Sequence, residues 1–170
     1  MKKFELTSEF VTFLEKKLFR IKALVSFGDV KEGELGGLVE KEENLDQSGD
    51  AWVYGNARVY GDARVSGDAR VYGNAWVSGN AWVSGDAQVY GNARVQNCRD
   101  YSATSCFGSE NRTTTFFRTK DGGISVRCGC FYGTLNEFRE KVKERHGDSR
   151  LAKEYLMLAD LMEFRLSKDE

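Results

Sequence analysis

Residues 49–96 read GDAWVY GNARVY GDARVS GDARVY GNAWVS GNAWVS GDAQVY GNARVQ, eight six-residue units laid end to end without a gap. Within each unit the order is Gly, Asn or Asp, Ala, variable, Val, variable. An extended strand alternates sides, so Ala and Val share one face and the variable residues flanking Val share the other. Gly followed by Asn or Asp interrupts the strand, because these residues tolerate the positive φ of a sharp corner. Each hexad is therefore one short strand plus one corner. One hexad cannot bury its Ala and Val alone, and stacking against neighbours in a narrow prism of parallel rungs solves the problem.

The Asn/Asp choice at the corners gives the number of hexads per coil. At an offset of 18 residues it agrees in four of five comparisons: 50 with 68, 56 with 74, 68 with 86 and 74 with 92 match, and 62 with 80 does not. At offset 6 it agrees in two of seven and at offset 12 in two of six, so three hexads per coil are favoured. In that register the outward residues form columns, one rung of about 4.8 Å apart. The first face stacks Trp52, Arg70 and Gln88 beside Tyr54, Tyr72 and Tyr90. The second stacks Arg58, Trp76 and Arg94 beside Tyr60, Ser78 and Gln96, and the third has Arg64 over Trp82 beside Ser66 and Ser84. One corner carries Asp50, Asp68 and Asp86.

The pairs Val53 with Ala57, Val59 with Ala63, and so on to Val89 with Ala93, keep an aliphatic residue followed four later by a small one. In this the segment resembles the hexapeptide-repeat superfamily of left-handed parallel β-helices. The resemblance implies a left-handed coil and, as the usual state of that superfamily, a homotrimer. It is weak for function, because one fold hosts many activities.

Upstream, LFRIKAL is strand-like and glycine-rich turns follow; the hexad phase carries back weakly through Val39 and Leu45, making Gly36 to Ser48 an imperfect first coil. Such a segment would cap the open end of the prism. Downstream, TTTFFRT and ISVRCGCF bracket KDGG, a hairpin with its turn at Asp121-Gly122. GTLNEFREKVKERHG reads as a helix: Thr134 and Glu137 form a capping box, Leu135, Phe138 and Val142 an apolar stripe, and Gly147 the stop. A second helix starts after Asp148 or Ser149, with Leu151, Tyr155, Leu158 and Leu161 or Met162 on one face. The expected fold is mainly β: an N-terminal β cap with an imperfect first coil at 1–48, a left-handed parallel β-helix at 49–96, and a hairpin with two helices at 97–170.

RIKALVSFGDVKEGELGGLVEKEENL before the repeat and TTTFFRTKDGGISVRCGCFYGTLNEFREKVKERHGD after it resemble segments of small bacterial, phage and prophage proteins that bracket GNARVYG-type repeats. That resemblance implies a mobile-element origin and brings no assigned activity with it.

Charge and composition narrow the partners. The formal net charge is −1 with mixed signs throughout, so no segment has the basic excess that non-specific nucleic-acid or anionic-membrane binding needs. There is no run of about 18 apolar residues, and MKKFELTSEF turns acidic too early for a secretory signal, which points to the cytoplasm, on the phage-like reading that of a bacterial host. Cys98, Cys106, Cys128 and Cys130 are then thiols or metal ligands. In a strand, Cys128 and Cys130 share a side with Ile124 and Val126, the pattern of core thiols; a zinc site would recruit Cys98 and Cys106, but neither C-x-C nor C-x7-C is the familiar knuckle spacing. No metal and no cofactor is expected.

Enzymatic readings find little support. Hexapeptide-repeat acyltransferases use a histidine base on or beside a coil, often with a loop breaking the helix. The one histidine here, His146, falls at a predicted helix end, where interaction with terminal carbonyls is the simpler role, and the repeat has no extruded loop. The three-histidine zinc site of gamma-class carbonic anhydrases cannot be built. The columns carry more. Arg58, Trp76 and Arg94 would sandwich an indole between guanidiniums, and the tyrosine column suits an interface. Ladder stabilisation of the rungs is the plainer explanation. An exposed aromatic patch argues for self-association, and arginine beside tryptophan suits stacking on a base and pairing with phosphate. The expected function is a non-enzymatic, trimeric binding protein holding a host macromolecule or a nucleotide-like ligand, with interference in bacterial defence as its setting. Acyltransferase and virion fibre component are the alternatives. The ligand or interface residues are Tyr54, Tyr72, Tyr90, Arg58, Trp76, Arg94, Arg64, Trp82, Trp52 and Arg70.

Overall fold

The computed structural model describes residues 1–167. It is mainly β, with a β-solenoid of about three turns and two C-terminal helices. Strands β1 (Phe4–Phe13) and β2 (Lys16–Ala23) form an antiparallel hairpin, and β2 pairs with β3 (Leu35–Val39). Eight two-residue strands follow: β4 (Trp52–Val53), β5 (Arg58–Val59), β6 (Arg64–Val65), β7 (Arg70–Val71), β8 (Trp76–Val77), β9 (Trp82–Val83), β10 (Gln88–Val89) and β11 (Arg94–Val95).

All inter-rung pairing is parallel at the 18-residue offset, giving sheets β4-β7-β10, β5-β8-β11 and β6-β9. The rungs are joined by amide-to-carbonyl bonds such as Trp52 N to Ala69 O at 3.0 Å and Tyr54 N to Val71 O at 2.8 Å. The pairing extends backwards: Val39 lies against Val59 and Leu45 against Val65, so β3 joins the hairpin to the second face as one six-stranded sheet.

The prism is filled as the alternation requires. Every inward Ala from Ala51 to Ala93 and every inward Val from Val53 to Val95 is fully buried. Each buried valine contributes about 1.5–3 kcal/mol relative to exposure. Glycine is required where rungs approach closely: Gly67 has φ +67°, and a Cβ on it would meet the backbone nitrogen of Gly85 on the next rung at 3.0 Å. In β3 a Cβ on Gly36 would collide with Ile21 and with the Val53 carbonyl, both at 2.6 Å.

Beyond the coils, β12 (Tyr101–Phe107), β13 (Arg112–Arg118), β14 (Ile124–Cys128) and β15 (Phe131–Thr134) form an antiparallel sheet in that order. Helices α1 (Leu135–His146) and α2 (Arg150–Leu166) pack on it. Strand β13 is the wall between two cores. Its alternation sends Phe117 into the core of the coils and Phe116 into the core of the helices.

This unit departs from expectation in two places. It is a four-stranded sheet rather than a single hairpin, because residues 101–107 form a strand and ISVRCGCF is two strands. Gly129, at φ +58°, turns the chain between Cys128 and Cys130, so Cys130 is exposed and does not share a buried face with Cys128. On α2 the buried face keeps the expected Tyr155, Leu158 and Met162, adds Ala152, Ala159 and Leu166, and leaves Leu161 exposed. The helix caps follow the sequence: Glu137 N donates to Thr134 Oγ1 at 3.2 Å while Thr134 N donates to Glu137 Oε2 at 2.7 Å, and Ala152 N donates to Ser149 Oγ. Among the described residues no helix is long and apolar enough to cross a membrane.

Candidate functional site

The three outer columns exist, and they are used differently. On the first face Trp52, Arg70 and Gln88 stand in register, but Trp52 is fully buried instead of lying outward for a ligand. The N-terminal segment folds over it: Phe27 meets its ring edge-on at 5.4 Å and Phe4 at 6.2 Å. Below them Lys3 donates to the carbonyls of Ser48, Gly49 and Ala51 at 3.3, 3.1 and 3.0 Å. Burial pushes the Lys3 ammonium down to about 8 against the pull of Asp46, Asp50 and Asp68.

The tyrosine column is continuous. Tyr54 and Tyr72 stack at 4.5 Å and 11°, and Tyr72 tilts against Tyr90 at 5.8 Å. Each end is bound to a flank. Asp29, in the loop after β2, accepts from Tyr54 Oη at 2.9 Å and from Arg70 Nη1 at 3.0 Å. At the far end Tyr132 of β15 meets Tyr90 edge-on at 4.8 Å, and Arg127 Nε donates to Gln88 Oε1 at 3.2 Å. Burial, and then the bond to Asp29, raise the Tyr54 hydroxyl well above the usual phenol range.

The second face carries the Arg-Trp-Arg stack. The Arg94 guanidinium lies 3.7 Å from the Trp76 ring centre and that of Arg58 5.6 Å from it. The stack is roofed by Phe13, which meets Trp76 at 4.7 Å and lies 4.2 Å from the Arg58 guanidinium. Arg94 Nη1 also donates to the carbonyls of Asn74 and Ala93 at 3.0 and 2.8 Å. The guanidiniums therefore bind the protein's own rings and backbone.

The third face is the one left open. Arg64 and Trp82 pair in register, both are exposed, and 55% of Trp82 is accessible. Its indole is fixed in place, since Nε1 donates to Ser66 Oγ at 2.8 Å. It lines a groove of about 400 Å³ together with Arg64 and the carboxylates of Glu42, Glu43 and Asp46. Glu42 pairs with Lys2 at 2.9 Å.

Three residues that complete these columns, Phe13, Asp29 and Tyr132, carry no signal in the repeat because all lie outside it. The aspartate column bonds within itself, Asp50 N donating to Asp68 Oδ1 at 3.2 Å. Cys98, Cys106 and Cys130 are exposed, and Cys128 is half-buried against the core of the helices, its sulfur accepting from Thr114 Oγ1 at 3.2 Å, so of the two expected core thiols only Cys128 packs on a core. Among the described residues no group of three or more His, Cys, Asp or Glu is placed to hold a metal ion. His146 ends α1 and stacks on Tyr155 at 5.7 Å and 25°, with the Lys143 carbonyl at the helix end taken by Gly147 N.

No curated protein matches the chain. The repeat does match a family, described as the YdcK beta solenoid repeat, at residues 51–67, 57–70, 63–79, 69–85 and 87–98. The matched segments coincide with the rungs, and the chain is a β-helix repeat protein.

Proposed function

We propose that the chain is a non-enzymatic binding scaffold whose contact surface is the third face of the solenoid, built by Arg64 and Trp82. One observation carries this reading: Trp52 is buried and Trp76 is roofed by Phe13, whereas Trp82 is 55% exposed, more than any tyrosine of the first face, and is bonded to Ser66. A rigid, half-exposed indole beside arginine has the composition of an interface anchor. The carboxylates of Glu42, Glu43 and Asp46 in the same groove oppose a phosphate, so this face suits a macromolecule better than a nucleotide.

The proposal extends to assembly and setting. The coil is a left-handed hexapeptide prism capped by the N-terminal hairpin, and it assembles as a homotrimer. The protein belongs to a phage or prophage and acts against a bacterial defence component in the host cytoplasm. Strict Val/Ala spacing supports the first part, and the resemblance of both flanks to phage-type segments supports the second.

Light scattering at micromolar concentration, on the wild type and on Trp82→Ser, tests the contact surface. A wild-type trimer that Trp82→Ser converts to a monomer supports self-association through this face. Two monomers, with a host protein retained by the wild type and released by the variant, support capture of a partner instead. Identical assembly and identical partners for both proteins would remove the third face as the contact.

A further inference from the structure

The C-terminal unit contains a second site that none of the column residues touches. A cavity of about 250 Å³ lies between the β12–β13 loop, the Cys128–Cys130 turn and the two helices. Its floor is apolar and aromatic: Phe138, Val142 and Tyr155 are 3%, 5% and 6% exposed. Phe138 and Tyr155 meet edge-on at 5.7 Å, leaving a corner of two rings against which a third can pack.

The rim has the opposite character. Arg112, Lys141 and Arg145 surround the mouth with His146, against one carboxylate, that of Glu110. Glu110 reaches Arg112 only at 3.8 Å, and Lys141 is turned to Glu144 at 2.8 Å. Among the described residues, no carboxylate lies within ion-pair distance of Arg145. Permanent cations over a low-dielectric floor concentrate an anion there, and guanidiniums match the planar oxygens of carboxylate or phosphate. Burial, and after it the neighbouring Cys128 thiol, raise the Tyr155 hydroxyl above the usual phenol range, which keeps it neutral beside an anion.

Size limits the ligand. Cavities for drug-sized molecules start at about 300 Å³, so this one fits a single ring with its charged substituent better than a nucleotide. We propose that it binds a small aromatic anion, one ring bearing a phosphate or carboxylate, with the ring on Phe138 and Tyr155 and the charge at Arg112 and Arg145.

The chain provides its own reporter, since His146 is the one histidine in the sequence and lines the cavity. Titrating the full chain with phenyl phosphate while following the His146 ring proton by NMR should give a saturable shift. Benzyl alcohol, which has the ring without the charge, and inorganic phosphate, which has the charge without the ring, should each bind at least about tenfold more weakly. Benzoate separates the two anion types and should also saturate. The double variant Arg112→Gln/Arg145→Gln changes two exposed side chains; it should lose about tenfold or more in phenyl phosphate affinity with its unfolding temperature unchanged. An unmoved His146 signal, equal binding of benzyl alcohol or of inorganic phosphate, or wild-type affinity in the double variant would each overturn the proposal.

Discussion

The coils and the C-terminal unit share strand β13 as a wall, yet Arg94 of the one and Arg145 of the other are used in opposite ways. In the coils Arg94 lies on Trp76 at 3.7 Å and Arg70 is bonded to Asp29 at 3.0 Å. In the C-terminal unit Arg145 rims a cavity. A two-residue strand has few backbone bonds of its own, so the coils recruit outward side chains to hold rung on rung and to hold the flanks to the prism. The helices are stabilised by their caps, by their apolar stripes and by Arg139 of α1, which pairs with Asp160 and Glu163 of α2 at 2.7 and 2.6 Å, so Arg145 is not needed to join them. Arg70 and Arg94 hold the coils together, whereas Arg145 stands at a cavity mouth.

The largest expected effect tests whether the two regions have separate cores. Phe117→Ala and Phe116→Ala each remove a fully buried ring and should each cost about 3–5 kcal/mol. Because adjacent residues of β13 face different cores, hydrogen exchange should separate them. Phe117→Ala should lose protection first in the last coil, around Ala93 and Val95, and Phe116→Ala first in α1 and α2. Equal loss in both regions for both variants would make the molecule one cooperative unit and end the comparison.

Legibility in the sequence follows the same boundary. The coil register could be read because each corner repeats and the Asn/Asp choice recurs at 18 residues in four of five comparisons, which puts Arg58, Trp76 and Arg94 in one column. What covers a column could not be read that way. Trp52 lies under Phe4 and Phe27, which precede it by 48 and 25 residues in segments with no repeat, and the hexad pattern is silent about them. Phe13 over Trp76 and Asp29 between Tyr54 and Arg70 were hidden for the same reason. In the C-terminal unit ISVRCGCF alternates well enough to pass for one strand, and Gly129 was the available signal that it turns. The cavity was invisible because its lining comes from a loop, a turn and two helices.

A smaller effect probes the link between coil and flank. Tyr54→Phe removes the bond to Asp29 and should cost about 1 kcal/mol at neutral pH. The wild type should also show a pH dependence that the variant lacks. Folding raises the Tyr54 hydroxyl above its ordinary value of 10.0, so the folded state holds that proton more tightly than the unfolded state. The associated stability is fully present below that ordinary value and is lost as pH rises above it, through the raised folded value. Urea titrations at about pH 9 and about pH 11 should therefore show the gap between wild type and Tyr54→Phe narrowing at the higher pH. A gap that widens would mean that Tyr54 is ionised more easily in the fold, and that Asp29 does not hold it.

The smallest effect is the most direct comparison of the two arginine uses. Arg94→Gln keeps a polar side chain at the rung but removes the guanidinium from the face of Trp76, a contact worth about 0.5–1 kcal/mol. Arg145→Gln removes an exposed guanidinium and should fall within about 0.5 kcal/mol of wild type. Thermal unfolding of both variants at two salt concentrations distinguishes the mechanisms. Arg94 is partly covered, and its loss should matter nearly equally at low and high salt, since buried contacts are screened least. If Arg145→Gln is destabilising by as much as Arg94→Gln, then Arg145 is part of the helical scaffold and is not a free cation at the cavity mouth. If Arg94→Gln is instead neutral, the stack on Trp76 holds nothing together, and the second face returns as a candidate contact surface beside Trp82.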